Sequence, residues 1–380
     1  MIFAKQEHID ELVCAINFKQ NNKYFCPGCG ERVVFKEGPQ KQAHFAHFKK
    51  SCHFFSEGET KKHVTGKNLI KMWAEKRHKR ADIEQYLPKL KQRPDVLINL
   101  KNSQLVVEYQ CSPLTLKDFN KRTDGYKQNG YRIFWILGMK HRLNKKLTQQ
   151  QAMFINFHKN IGYFLVFIDT ERQCLILNYE LCFENLYGIR YCTRIFNDAS
   201  DLMKFIKYNC RNKTLNLSQA DLFRQLTKLE KNCYYLNHYL KQQIDFCYMQ
   251  RYYFMGFPIC CLSQTRLPPI YRHEDIFWRI RVILDLQKYS TDVITKKELE
   301  ILFALQQKST ETFFVMPLVG HLAIKQANNA YINSLVKNHI LIPIKESENY
   351  RIDDYIVWTN DISLKKENLQ LCHTFISNFD

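Results

Sequence analysis

No stretch of this sequence approaches the ~18 consecutive apolar residues that a membrane-spanning helix requires, so no span is expected. The opening segment, MIFAKQEHIDEL, lacks the apolar core of a secretory signal. Without an export signal, the fourteen cysteines are expected as free thiols in a reducing cytosol. Most sit in apolar or mixed segments, among them Cys182, Cys210, Cys247, Cys260 and Cys261. There is no Walker loop, no dinucleotide-binding glycine pattern and no serine-nucleophile motif, which argues against a nucleotide cofactor. Acidic residues are scarce: 37 Asp and Glu stand against 56 Lys and Arg, a net charge of +19 with a pI near 9.3. That excess favours a polyanionic partner, nucleic acid before membrane. Tyrosine and phenylalanine are abundant among the lysines, and aromatic faces beside cations suit single-stranded nucleic acid. A codon bias toward Lys, Asn, Ile, Phe and Tyr is the competing source of those aromatics.

At 380 residues, two or three domains are expected, with apolar content ample for buried cores. The most informative stretch is residues 93–110, RPDVLINLKNSQLVVEYQ, which predicts a β-hairpin with one carboxylate on each arm. Alternate strand residues share a face, so Glu108 and Gln110 point the same way. A two-residue turn at Asn102-Ser103 would set Asp95 opposite Gln110. Glu108 would then be its diagonal neighbour, roughly 7–8 Å away. An odd-length change in the loop would put Asp95 and Glu108 on opposite faces. Two carboxylates on one apolar-flanked face invite Mg²⁺ or Mn²⁺, hard cations that complete their shells with water and phosphate. An exposed hairpin with ordinary acidic residues is the plain alternative.

Residues 1–56 read as short strands and turns around the knuckle YFCPGCGERVVFKEG. Cys26 and Cys29, then His44 and His47 of AHFAHF, give C-x2-C, fourteen intervening residues and H-x2-H. Two Cys and two His suit a tetrahedral structural Zn²⁺, with Cys52 and His53 as further candidates. The alternative is free thiols in a turn and histidines in a packing segment. The short H-x2-H spacing excludes a DNA-reading finger.

Residues 58–80 are helical in propensity, with Gly66 a weak spot. Glu59, His63 and Lys67 fall on one face, with Val64, Ile70 and Trp73 toward the core. A solvated stripe with an i,i+4 ion pair is the alternative. A short extended segment containing Glu84 follows. After the hairpin, Thr115 and Asp118 cap a helix carrying Phe119, Arg122 and Tyr126, stopped by Asn129-Gly130. Residues 133–137 read as a buried parallel strand, reached by a right-handed crossover.

This order of elements, with Asp95 in RPDV and Glu-x-Gln at 108–110, resembles the restriction-endonuclease-like, PD-(D/E)xK nuclease core. More narrowly, CPGCG, AHFAHF, GETKKHVTGK, RPDV, VVEYQCSPL, the Arg122/Tyr126 pair and IFWILG, in that order, resemble the competence protein CoiA family. The resemblance implies a mixed α/β protein: a β-rich, zinc-knuckle-like region at 1–56, a nuclease-like core at 57–150 and a mainly helical domain at 151–380. It implies a cytoplasmic competence protein acting on imported single-stranded DNA in natural transformation, alongside the RecA recombinase and DNA-processing protein A. Asp95 and Glu108 would be the metal ligands. Gln110, standing where the family of nucleases usually has lysine, would orient the attacking water or contact phosphate. Glu59 and His63 would supply an extra ligand or proton relay, and Lys67 would hold the scissile phosphate. A charged hydrogen bond is about twice as strong as a neutral one, so Gln110 leaves two readings open. Either Lys67 supplies the missing charge, or the protein is a non-catalytic DNA-binding recombination mediator with a degenerate nuclease core.

Beyond residue 150 the sequence predicts a hairpin at 164–181 and helices at 201–208, 218–249, 273–286, 295–306 and 328–337. Aromatics and bases interleave through 233–254, as helix packing or as a nucleic-acid track. Phe257-Pro258 and Leu267-Pro268-Pro269 suggest a turn-rich linker.

Overall fold

Short aromatic and β-branched runs build the N-terminal half into strands, as their propensity dictates. The computed structural model describes residues 3–7, 12–26, 30–38, 41–48, 60–209, 216–235, 237–289, 293–353, 356–359, 361–367 and 369. The chain divides into two units. One comprises residues 1–142, 165–178 and 193–209, the other residues 143–164, 179–192 and 210–380.

In the first unit, β1 (Phe3–Gln6), β2 (Leu12–Cys14), β3 (Tyr24–Phe25), β4 (Arg32–Gly38) and β5 (Lys41–His47) form a five-stranded sheet in the order β2-β1-β3-β4-β5. Its small core is Ala4, Ala15, Tyr24, Cys26, Val33, Ala43 and Phe45, flanked by Phe18 stacked on Phe35 at 4.0 Å.

The second sheet carries the predicted succession. Helix α1 (Lys61–Glu75), capped by Thr60, precedes β6 (Ala81–Ile83), β7 (Val96–Asn99) and β8 (Gln104–Gln110). Helix α2 (Leu116–Gln128) then crosses to β9 (Arg132–Gly138). Thr115 accepts from the Asp118 amide, as its cap position requires. Gly130, at φ +79°, ends the helix where a side chain would be strained. Strand β9 lies parallel to β8, with Leu105 opposite Arg132 and Gln110 opposite Leu137. The helix is fixed to the sheet by Phe119 stacked on Trp135 at 4.9 Å and by the Trp135 indole donating to Thr123 Oγ1.

This sheet does not end near residue 150. After α3 (Gln149–Ala152), the chain adds β10 (Asn156–His158), β11 (Gly162–Asp169), β12 (Cys174–Glu184) and β13 (Gly188–Phe196). The strand order is β13-β12-β11-β9-β8-β7-β6, with β10 paired to β11. Helix α4 (Ala199–Tyr208) follows. The expected boundary at 150 therefore falls inside the run of elements that completes the sheet. The long apolar stretch of β11, buried through seven of its eight residues, is what a central strand requires.

The second unit contains α5 (Gln219–Tyr234), α6 (His238–Met249), α7 (Ile276–Leu286), β14 (Val293–Thr295), α8 (Lys296–Ser309), α9 (Gly320–Lys337), β15 (Leu341–Pro343) and β16 (Asn349–Ile352). The single helix expected over 218–249 is two, because Tyr235 leaves helical geometry and Asn237 caps a new start by accepting from the Leu240 amide. The expected linker is core: Phe257, Cys260, Cys261, Leu262, Leu267 and Ile270 are all at most 1% exposed. Among the described residues, no helix is long and apolar enough to cross a membrane.

Candidate active site

The β7–β8 hairpin brings the two predicted carboxylates together, in a register different from the expected one. Val96 pairs with Val107 and Asn99 with Gln104. The loop is therefore residues 100–103, closed by the Leu100 amide on the Ser103 carbonyl, rather than Asn102-Ser103 alone. The pairing shifts by two residues, and Asp95, just before β7, comes opposite Glu108 instead of Gln110. Because the loop length is still even, the strand faces are preserved.

Asp95 Oδ2 lies 3.2 Å from His63 Nε2 and accepts from the Tyr109 backbone amide at 2.8 Å. Burial opposes its ionisation. The charge and hydrogen bond of His63, the Lys67 ammonium and the Tyr109 amide outweigh that cost and hold Asp95 below the usual carboxylate range. Glu108 is shifted the other way. It is 2% exposed, and burial, followed by the repulsion of Asp95, pushes its carboxyl up to about 8. Arg122 and Tyr126 of α2 counteract this, with a further contribution from His63 of α1: Arg122 Nη1 lies 3.5 Å from Oε2, and the Tyr126 hydroxyl donates to Oε1 at 2.7 Å. The pair thus carries close to one negative charge at neutral pH. At that pH an added positive charge would favour full ionisation.

Helix α1 turns His63 and Lys67 toward the sheet, so the stripe is not a solvated one. Lys67 is 1% exposed and paired with Glu84, itself 5% exposed. Arg93 Nη1 lies 3.7 Å from the other Glu84 oxygen. Lys67 was expected to hold the scissile phosphate; here its ammonium is engaged by Glu84, and withdrawing it would leave a buried carboxylate without its closest countercharge. Its charge instead acts on Asp95. Arg122, with a side chain 47% exposed, is the cation at the solvent side of the carboxylates. Gln110 is also tied down, its amide nitrogen donating to the Ser112 carbonyl at 2.8 Å.

Gly66 is a contact residue rather than a helix defect. A Cβ there would overlap the Tyr109 ring, which also stacks on His63 with centroids 5.7 Å apart. Neither Glu84 nor Arg93 stands out as a site residue from sequence alone. Their only signal was a pair of opposite charges ahead of Asp95, and their convergence depends on β6 pairing with β7. Glu84 holds a left-handed backbone, φ 52°, while its amide donates to the Asp95 carbonyl, the kind of strain that a packed site sustains. Glu59 lies outside the described residues.

Among the described residues, no three His, Cys, Asp or Glu side chains converge as metal ligands. Mg²⁺ needs only one or two carboxylates. Two hard carboxylates that lack the charge to ionise together fit such a cation. The zinc set fares differently. Strand β5 runs through both His44 and His47. An odd separation on a regular strand sends them to opposite faces, whereas a tetrahedral site needs them convergent. Cys26 is buried in the small core. Its turn is closed by backbone bonds to Glu31 and Gly30. Cys29, Cys52 and His53 lie outside the described residues.

Two family models match the chain: "Competence protein CoiA, N-terminal domain" over residues 7–55 and "Competence protein CoiA, nuclease-like domain" over residues 59–210. The second extends through β13 and α4. The chain is 39% identical over 120 residues to the competence protein CoiA of Bacillus subtilis (strain 168). That match covers 31% of this chain and 32% of the relative, so it spans about a third of the relative's length. No solved structure matches.

Proposed function

Because this chain belongs to the competence protein CoiA family, we propose that its nuclease-like domain hydrolyses DNA with a divalent cation, and that it processes imported single-stranded DNA in natural transformation. The observation that carries this reading is the Asp95–Glu108 pair. The two carboxylates meet at one end of a hairpin, one held ionised and the other held protonated by burial and then by the charge of the first.

Asp95 and Glu108 would hold Mg²⁺ or Mn²⁺. When bound, the cation would polarise a phosphodiester oxygen and lower the pKa of a water. The chain's own groups prepare that site. His63 and the Tyr109 amide keep Asp95 anionic and fix its Oδ2. Tyr126 fixes Glu108 Oε1, and Arg122 offers a partly exposed charge to a phosphate. Lys67, clamped by Glu84, acts as a positioning charge behind Asp95. The RecA recombinase and DNA-processing protein A are proposed partners on the family resemblance alone.

One observation favours the alternative, a DNA-binding recombination mediator without catalysis. The Gln110 amide is engaged by Ser112, so nothing at that position reproduces the lysine of an active PD-(D/E)xK site. Incubation of purified protein with labelled single-stranded, duplex and branched DNA, in EDTA, Mg²⁺ or Mn²⁺, separates the two. Cleavage that needs the cation and vanishes in Asp95→Ala and Glu108→Ala supports the nuclease. Salt-sensitive binding with no cleavage in any condition supports the mediator.

A further inference from the structure

Residues 276–352 have an order of their own: α7, β14, α8, α9, β15, β16, or helix, strand, helix, helix, strand, strand. The three strands form a sheet in the order β14-β16-β15. Strand β16 is antiparallel to both neighbours, with Ile294 opposite Tyr350 and Leu341 opposite Ile352. Trp278 of α7, Phe303 of α8 and Tyr331 of α9 meet at the centre, with ring centroids 4.9–5.4 Å apart. Ile294, Leu299, Ala323, Ala327, Leu335 and Leu341 close the core around them, each 0% exposed. A Thr295–Glu298 capping box fixes the start of α8 directly against β14. Three helices with a strand before the second and a β-hairpin after the third make a winged helix-turn-helix. In helix-turn-helix proteins the second helix of the pair, here α9, enters the DNA major groove.

The surface of α9 fits that role. Its inward face is Ala323, Ala327, Tyr331 and Leu335. Its outward face carries His321, Lys325, Asn329, Asn333 and Lys337 at four-residue intervals, all exposed. The helix has no Asp or Glu along its length. Asparagine can pair two-fold with adenine in the major groove, and lysine can reach guanine or phosphate. One flank of the helix is taken up, since the Tyr163 hydroxyl donates to Gln326 at 2.8 Å. The polar stripe stays outward. The hairpin adds exposed Lys345 and Arg351. Its acids are Glu346 and Glu348, the latter paired with Lys296 at 3.0 Å.

We propose that residues 276–352 are a winged helix-turn-helix that binds duplex DNA through the His321–Lys337 face of α9. The outward face holds no Phe, Tyr or Trp ring, whereas single-strand platforms stack bases on such aromatics. It is polar and cationic rather than apolar, which favours phosphate and base edges over a protein surface. The inference does not depend on cleavage at Asp95 and Glu108.

The test uses the full-length protein in EDTA. Anisotropy titrations compare a labelled duplex of about two helical turns with a single strand of equal length. Lys325→Glu/Asn329→Asp/Lys337→Glu should weaken duplex binding by about tenfold or more. It should also flatten the log–log salt dependence by about 2, near 0.9 for each lost phosphate contact. Single-strand binding should change far less. A benzophenone amino acid at position 329 should photocrosslink to the duplex; this readout decides the matter if the triple variant does not fold. Unchanged duplex affinity and salt slope in a folded triple variant would overturn the proposal. So would a crosslink at 329 that captures protein and never DNA, which would make this face a protein interface.

Discussion

The Tyr126 hydroxyl donates to Glu108 Oε1 at 2.7 Å, joining the crossover helix α2 to the strand that carries the buried carboxylate. Tyr126 is 1% exposed, and burial pushes its phenol well above its ordinary range, so it remains a donor at every working pH. Tyr126→Phe removes the donor and keeps the ring. It should cost about 1–3 kcal/mol, the penalty for a buried acceptor left unsatisfied, read as a lower urea midpoint. Cation-dependent cleavage should fall while DNA affinity holds.

Glu108 makes the cation-free protein sensitive to pH. Its folded-state carboxyl titrates near 8, above its ordinary value of 4.5. Between those values the folded chain keeps a proton that the unfolded chain has released. The stability this group contributes is therefore complete below about 4.5 and is lost as pH rises through 8, with a slope of at most about 1.4 kcal/mol per pH unit. In EDTA, Glu108→Gln should flatten the stability–pH curve across this window and melt above the wild type at pH 8. Added Mg²⁺ should raise the melting temperature of the wild type and leave the variant unmoved.

The Lys67–Glu84 pair is a stability element beneath the site. Lys67→Met should cost about 3–5 kcal/mol by leaving Glu84 without its closest countercharge. Lys67→Met/Glu84→Gln should cost less than the sum of the two single changes, with a coupling of about 0.5–3 kcal/mol. Urea titrations of the four proteins measure it. Equal and additive costs would mean that Arg93, 3.7 Å away, is the countercharge that matters.

The elements of the nuclease-like core were legible because each carries a local signal: the Thr115 cap, the Asn129-Gly130 stop, the alternating hairpin and the apolar run of β9. The carboxylate pair was legible through strand parity, which survives a loop of two residues or four. Register was not, since residues 100–103 offer no strong turn signal. The burial of Lys67 was hidden too. A lysine on an amphipathic helix reads as solvated until β6 places Glu84 beneath it. The zinc reading of AHFAHF rested on spacing alone, and on a strand a separation of three points the side chains apart. In the C-terminal half, proline-rich turns suggested a linker, yet tertiary packing buries them as core.

The central claim is that Asp95 and Glu108 share a divalent cation. Titration of Mn²⁺ followed by electron paramagnetic resonance tests it most directly, with wild type, Asp95→Asn and Glu108→Gln side by side. A single Mn²⁺ should be bound by the wild type, displaced by Mg²⁺ and lost in both variants. Binding that is equally strong in all three proteins would place the cation elsewhere and contradict the account.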